Sequence, residues 1–184
     1  MLLTSYRYLF DKIIIVSPTF RAQYAVLWHK ISNDGILVHE ELNETIIQSV
    51  YDQVKSNNKD TTTLLLLDDC GEELRKIEPR MVNLLVSNSR HYRLSILSLH
   101  QKLTQAPTIL RGNADQIMMF GACSYLEREA LYKEVSVVDR KTFMQIFNVA
   151  TEDPHSFLCC VMSREGKLKF YKHDFETEIK IENK

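Results

Sequence analysis

Four consecutive leucines, Leu64 to Leu67, run directly into Asp68-Asp69-Cys70-Gly71, and no other stretch restricts the fold of this 184-residue chain as strongly. A short, continuously apolar run bounded by polar residues suits a strand buried on both faces, the kind found at the centre of a parallel sheet. A second run, Ile13-Ile14-Ile15-Val16, ends in Ser17-Pro18-Thr19, where the proline has no N–H to continue a ladder. A third, Leu94 to Leu99, is followed at once by His100-Gln101. Ligands of open α/β sheets bind beyond the carboxyl ends of the strands, so paired aspartates there can hold a metal ion and activate a water. Either aspartate can equally serve as a cap for the segment that follows it, and the stretch alone leaves both uses open.

Between these runs the pattern is helical. Arg21 to Ile31 reads as a short helix, and Asn33-Asp34-Gly35 as a turn before a short strand from Ile36 to His39. Asn43 to Lys55 is an amphipathic helix with Ile46, Ile47, Val50 and Val54 on one side. Pro79 suits the first turn of a helix from Arg80 to Asn88, with Met81, Leu84 and Leu85 turned inward. Ala106 to Leu110 is helical or turn-like, and Gln116 to Phe120 reads as a fourth apolar strand of the sheet. Two helices, from Leu126 to Glu134 and from Arg140 to Phe147, precede a β-hairpin of Phe157 to Met162 and Leu168 to Tyr171 around Arg164-Glu165-Gly166. The alternation predicts an α/β fold, a mostly parallel sheet with helices on both faces, followed by a C-terminal helical and hairpin region.

At 45% hydrophobic and 26% charged, the chain is long enough for one α/β domain, read here as residues 1–184 with a charged tail from about 172 expected to fray. A net charge of -1 argues against nucleic-acid binding by bulk electrostatics and leaves only local contacts. The four cysteines, Cys70, Cys123, Cys159 and Cys160, lack metal-site spacing, which points to a reduced, intracellular setting. No run approaches the ~18 apolar residues of a membrane span, and the N-terminus is too polar for a signal peptide, so a soluble protein is expected.

Four segments carry a family resemblance: Ile13 to Thr19; Leu64 to Asp69; Asn88-Ser89-Arg90-His91-Tyr92 leading to Ser98-Leu99-His100-Gln101; and Leu110-Arg111-Gly112-Asn113-Ala114-Asp115. In this order the chain resembles the poxvirus-type DNA-packaging ATPases of large DNA viruses, virophages and related elements, within the HerA-FtsK group of P-loop ATPases. The resemblance spans about Tyr6 to Phe120 and implies a RecA-like P-loop NTPase core with ATP and Mg²⁺ as cofactors. It makes Asp68 the Walker B carboxylate that positions Mg²⁺ through water. Asp69 takes the place of the catalytic carboxylate, shorter than the glutamate common in the wider group. Gln101 becomes the polar sensor of the terminal phosphate or attacking water; on its own it reads as an ordinary loop glutamine. Arg111 becomes a candidate arginine supplied to a neighbouring subunit's nucleotide, while its position alone equally suits a helix-end arginine paired with a carboxylate. Arg90 and His91 are assigned to phosphate or to the subunit boundary, and His91 also suits a histidine packed behind the sheet.

The departure from the family pattern is the phosphate-binding loop. GxxxxGK[ST] occurs nowhere in the chain, and its five glycines are isolated. Such a loop follows the family's first strand, so the resemblance casts the chain as an N-terminally truncated ATPase lacking that strand and loop, and binding ATP poorly by itself. The implied function is an ATP-driven motor that packages double-stranded viral DNA as a homo-oligomeric ring. Its partners would be capsid or portal proteins, and its location the virion or the host-cell cytoplasm. Two alternatives stay open: a DNA translocase or conjugation-type ATPase of a cellular or mobile element, and a catalytically inactive assembly scaffold.

Overall fold

A computed structural model describes residues 9–20, 36–135, 138–162 and 167–180. The expected helix at 21–31, the turn at 33–35 and the hairpin turn at 164–166 lie outside them. The chain divides into two compact units, Met1–Gln101 with Gln105–Ile109, and Lys102–Thr104 with Leu110–Lys184.

In the first unit, β1 (Lys12–Val16), β2 (Leu37–His39), β3 (Thr63–Asp68) and β4 (Leu94–Leu99) form one parallel sheet in the order β2-β1-β3-β4. β1 and β3 are the central pair, as their unbroken apolar runs require. Their register sets Ile13 beside Leu64, Ile15 beside Leu66 and Val16 beside Leu67. Ile13, Ile15, Leu64 and Leu66 build a core on one face with Phe20 and Ile36. The alternation of a strand turns Ile14, Val16, Leu65 and Leu67 to the other face, where all four are at most 2% exposed.

Helix α1 (Glu44–Ser56) starts at Asn43, whose Oδ1 accepts the Ile46 N–H at 3.0 Å, and it buries Ile47, Val50 and Val54. It packs against α3 (Pro79–Asn88), which has its proline at the first turn. The inward face of α3 is Val82, Leu85 and Val86, not the expected set of Met81, Leu84 and Leu85; Leu84 is exposed. Apolar residues occupy five of the six positions from Met81 to Val86, so their spacing fits more than one helical phase, and packing selects among them. A short helix that the sequence pattern does not reveal, α2 (Gly71–Lys76), follows the paired aspartates and buries Leu74. The short α4 (Thr108–Gly112) overlaps the stretch from Ala106 to Leu110 expected to be helical or turn-like.

The second unit corrects the reading of Gln116 to Phe120. That segment, β5 (Gln116–Phe120), does not join the parallel sheet but pairs antiparallel with β6 (Phe157–Met162), which pairs antiparallel with β7 (Leu168–Tyr171) as the expected hairpin. Five residues rich in methionine suit either sheet, and their partner lies some forty residues ahead. Helices α5 (Tyr125–Val135) and α6 (Arg140–Ala150) supply Leu131, Phe143, Ile146 and Phe147 to a core shared with Met119, Leu158, Cys160 and Phe170. Asp139 caps α6 by accepting the Lys141 and Thr142 N–H groups.

The stretch from 172 turns back on β7 as far as it is described. Lys172 N–H donates to Thr177 O, and Ile179 N–H to Phe170 O. Asp174 closes the turn, accepting from the Thr177 hydroxyl and the N–H groups of Glu176 and Thr177, bonds that hold its carboxyl down at about 2.

Candidate active site

Three parallel strands deliver their polar ends to one open cleft, about 240 Å³, lined by Thr19, Asp68, Asp69, Leu99, His100 and Gln101. The register that sets Ile15 beside Leu66 continues for one more alternation and brings Ser17 beside Asp68. There the Ser17 hydroxyl donates to Asp68 Oδ2 at 2.8 Å. Ser17 is wholly buried, and its N–H donates to His39 O, so it is held by the sheet on both sides.

Asp69 departs from strand geometry. Its φ is +53°, in the left-handed region that aspartate tolerates better than most residues, while its N–H still donates to Leu99 O at 3.1 Å. The chain turns at this residue without leaving the sheet, and its carboxylate accepts Gln101 Nε2–H at 3.0 Å through Oδ2. The two residues that the family resemblance would assign to water activation and phosphate sensing are hydrogen-bonded partners across adjacent strand ends. Cys70, next in line, is buried and donates weakly to the carbonyls of Val16 and Asp68; burial, with Glu73 and Asp68 adding to it, pushes its thiol up to about 12.

His100 is the cleft residue that sequence reasoning passed over. Its Nε2 shares a 2.7 Å hydrogen bond with Ser98 Oγ, and its Nδ1, shielded from solvent, has no partner among the described residues. Burial lowers its pKa, and the Asp69 carboxylate only partly opposes that shift. Gly71 is what lets the ring and the following loop sit this close. A Cβ there would lie 2.9 Å from Gln105 Cβ and 3.2 Å from His100 Nδ1.

The remaining assigned residues stand elsewhere. Arg90 and His91 lie before the amino end of β4, exposed, and the length of the strand, roughly 17 Å, separates them from the cleft. His91 meets Tyr92 edge to face, and Tyr92 meets Tyr51. Neither residue is brought to the aspartates, so the structure offers no support for phosphate contact within one copy of the chain. Arg111 belongs to the second unit, where its Nε donates to Glu134 Oε2 at 3.0 Å in a largely buried ion pair, the alternative that its position left open.

The cleft offers oxygen donors, the set that a hard cation such as Mg²⁺ prefers, and among them the Thr19 hydroxyl, also shielded from solvent, has no partner among the described residues. No group of three or more His, Cys, Asp or Glu able to cage a metal occurs among the described residues. One or two carboxylates with water and phosphate oxygens is, however, the usual way of holding Mg²⁺. The residues therefore fit that cation. They fit a triphosphate less well, because no cationic side chain lines the cleft among the described residues. No helix among the described residues is long and apolar enough to cross a membrane.

A family model described as "Poxvirus A32 protein" matches residues 2–162. The chain is 29% identical over 149 residues to uncharacterized protein 075L of Invertebrate iridescent virus 6, covering 78% of this chain and 58% of that protein. It is 21% identical over 158 residues to uncharacterized protein 015R of Frog virus 3, covering 83% and 48%. The chain thus spans about half the length of these curated relatives. Among solved structures, the genome packaging NTPase B204 from Sulfolobus turreted icosahedral virus 2, in complex with ATP-gammaS, superposes with a TM-score of 0.62 at 21% identity, covering 93% of this chain and 88% of that one. That likeness establishes that the chain shares the fold of that NTPase.

Proposed function

The chain belongs to the Poxvirus A32 protein family, and from that premise we propose that it is the hydrolytic part of an ATP-driven motor for viral genome packaging. The observation that carries the reading is the 3.0 Å hydrogen bond between Asp69 and Gln101, beside Asp68, at the carboxyl ends of adjoining parallel strands. Hydrolysis of a phosphoanhydride needs a carboxylate to orient or deprotonate water and a polar group to register the terminal phosphate, and these two residues are the pair available. Support also comes from the genome packaging NTPase B204, a protein of this fold described in complex with ATP-gammaS, AMP and AMPPCP.

In this reading Asp68 takes Mg²⁺ through water, and the cation supplies charge neutralisation on the phosphates. Asp69 accepts the proton of the attacking water, and Gln101 exchanges its bond to Asp69 for one to the terminal phosphate. Phosphate charge has to be met by groups outside the lining of this cleft. Arg111 acts on a neighbouring subunit's nucleotide only after releasing Glu134. Exposed placement far from the cleft suits Arg90 and His91 to a boundary between subunits of a homo-oligomeric ring. Double-stranded DNA, capsid or portal proteins and a virion or host-cytoplasmic setting complete the proposal.

Supplied with a segment bearing GxxxxGK[ST], the chain is expected to hydrolyse ATP in a DNA-stimulated manner, and Asp69→Asn to lower the rate by about a hundredfold or more. Equal rates for the two proteins overturn the assignment. By itself the chain is expected to bind MgATP only weakly; micromolar affinity in a titration contradicts that part.

A second reading, an ATPase-like assembly scaffold, is favoured by the absence of any cationic side chain among the described residues that line the cleft. Lack of any DNA-stimulated hydrolysis in the supplemented protein selects it.

A further inference from the structure

We propose that the Ser17-Pro18-Thr19 turn is a working wall of the cation site, with Ser17 a positioning residue for Asp68 and the Thr19 hydroxyl a direct contact for the cation's water shell. The inference rests on the reading of Asp68 as the cation carboxylate and adds residues to which that reading gives no role.

Four observations meet at Ser17. It is wholly buried, yet its hydroxyl is spent on one oxygen of a half-buried carboxylate at 2.8 Å, not on the backbone. Its N–H is already taken by His39 O and its carbonyl by the Phe20 N–H, so the side chain has no backbone group of its own to satisfy. The bond spans two strands in fixed register, Ile13 to Val16 against Leu64 to Leu67, so it cannot slide along the sheet. A hydroxyl that donates to Asp68 Oδ2 fixes the rotation of the carboxylate, which leaves Oδ1 as the oxygen to face a ligand.

Thr19 comes two residues later, past a proline that ends the ladder and turns the chain over the strand ends. Its Oγ1 is shielded from bulk solvent and has no partner among the described residues, although the residue lines the same cleft as Asp68. A buried hydroxyl without a partner is disfavoured unless something in the site satisfies it. A cation that keeps most of its waters offers such a partner through a water molecule. The two hydroxyls of one turn thus divide the work: Ser17 holds the carboxylate and Thr19 holds the hydrated ion.

The test is Mn²⁺ binding to the chain, followed by electron paramagnetic resonance with Mn²⁺ alone as the probe and without nucleotide. Asp68→Asn is expected to abolish the bound fraction. Ser17→Ala is expected to weaken binding by about tenfold or more, the range usual for the partner of a metal ligand, and Ser17→Thr, which keeps the hydroxyl, to restore most of it. Thr19→Val is expected to weaken binding by a smaller factor than Ser17→Ala, with Thr19→Ser close to the unmodified chain. Far-ultraviolet circular dichroism on each variant excludes misfolding, and Ser17→Cys provides a near-isosteric variant with a weak donor in case Ser17→Ala fails to fold. If Asp68→Asn abolishes Mn²⁺ binding while Ser17→Ala and Ser17→Cys bind as the unmodified chain does, the positioning role is overturned and the reading of Asp68 survives. If Asp68→Asn binds Mn²⁺ as well as the unmodified chain, or no Mn²⁺ binds, the reading of Asp68 falls and takes this inference with it.

Discussion

The two units use their polar residues in opposite ways. In the second unit charged groups are spent inside the structure. Glu127, only 8% exposed, accepts the Leu103 N–H at 2.6 Å and the Thr104 hydroxyl at 3.1 Å. Arg111 is closed by Glu134, and Arg128 lies over the Phe147 ring while donating to Gly121 O, though its Nε has no partner among the described residues. In the first unit the polar residues gather beyond the ends of β1, β3 and β4, where Thr19 and His100 keep shielded atoms without partners among the described residues and Asp69 holds a left-handed backbone. Parallel strands that share a direction place all their carboxyl ends together, so their terminal residues form a site. The antiparallel strands of the second unit alternate in direction and make a core instead.

If that contrast is right, the second unit responds to mutation through stability and the first through chemistry. The largest effect is expected from Phe143→Ala. Its ring is fully buried against Tyr132, Phe147 and Phe170, and its removal should cost about 3–5 kcal/mol in denaturant unfolding. A loss below about 1 kcal/mol would show that this core is loosely packed and that the contrast fails at its stronger end. Next comes Glu127→Ala, which strands the Leu103 N–H; a cost of about 1–3 kcal/mol is expected by the same measurement.

Asp69→Gly sharpens the other half of the comparison. Glycine adopts a φ of +53° without strain, and among the described residues the side chain lost is bonded only to Gln101, on an accessible cleft wall. Stability should change by no more than about 1 kcal/mol, in either direction, while hydrolysis in the loop-supplemented protein is lost. A loss of several kcal/mol would mean that Asp69 is a structural cap, the reading that the sequence left open.

How far the sequence foretold all this depends on how local each cause is. The strands β1 and β3 are legible because an apolar run of four residues ending in a polar one has few other uses. Ser17 was legible too, though unread. Both runs, Ile13 to Val16 and Leu64 to Leu67, have the same length and are followed by a polar residue, so pairing them in parallel sets Ser17 against Asp68. Helix α2 was hidden because six residues with one buried leucine show no periodicity. The sheet to which β5 belongs was hidden because its partner is named only by the fold. Arg90, His91 and Arg111 were assigned by resemblance, and neither strand direction at β4 nor the Arg111–Glu134 pair can be seen from the residues flanking them.

The smallest expected effect concerns His100 and tests whether the cleft of the first unit is held under-satisfied. Burial lowers its pKa below the ordinary 6.5, so the unfolded chain binds a proton at this residue more readily than the folded one. Stability from this group is therefore complete above pH 6.5 and declines as the pH falls from there toward the lowered value. His100→Gln, which cannot titrate, should flatten that part of the stability profile while leaving the profile above pH 7 parallel to that of the unmodified chain. A steeper decline in the variant, or an unchanged one, would mean that Nδ1 finds a partner in solution and that the neutral ring is not what the fold requires. A flattened profile would identify His100 as a neutral imidazole with Nδ1 unpaired, adding a residue that the sequence did not single out to the group left under-satisfied at the strand ends.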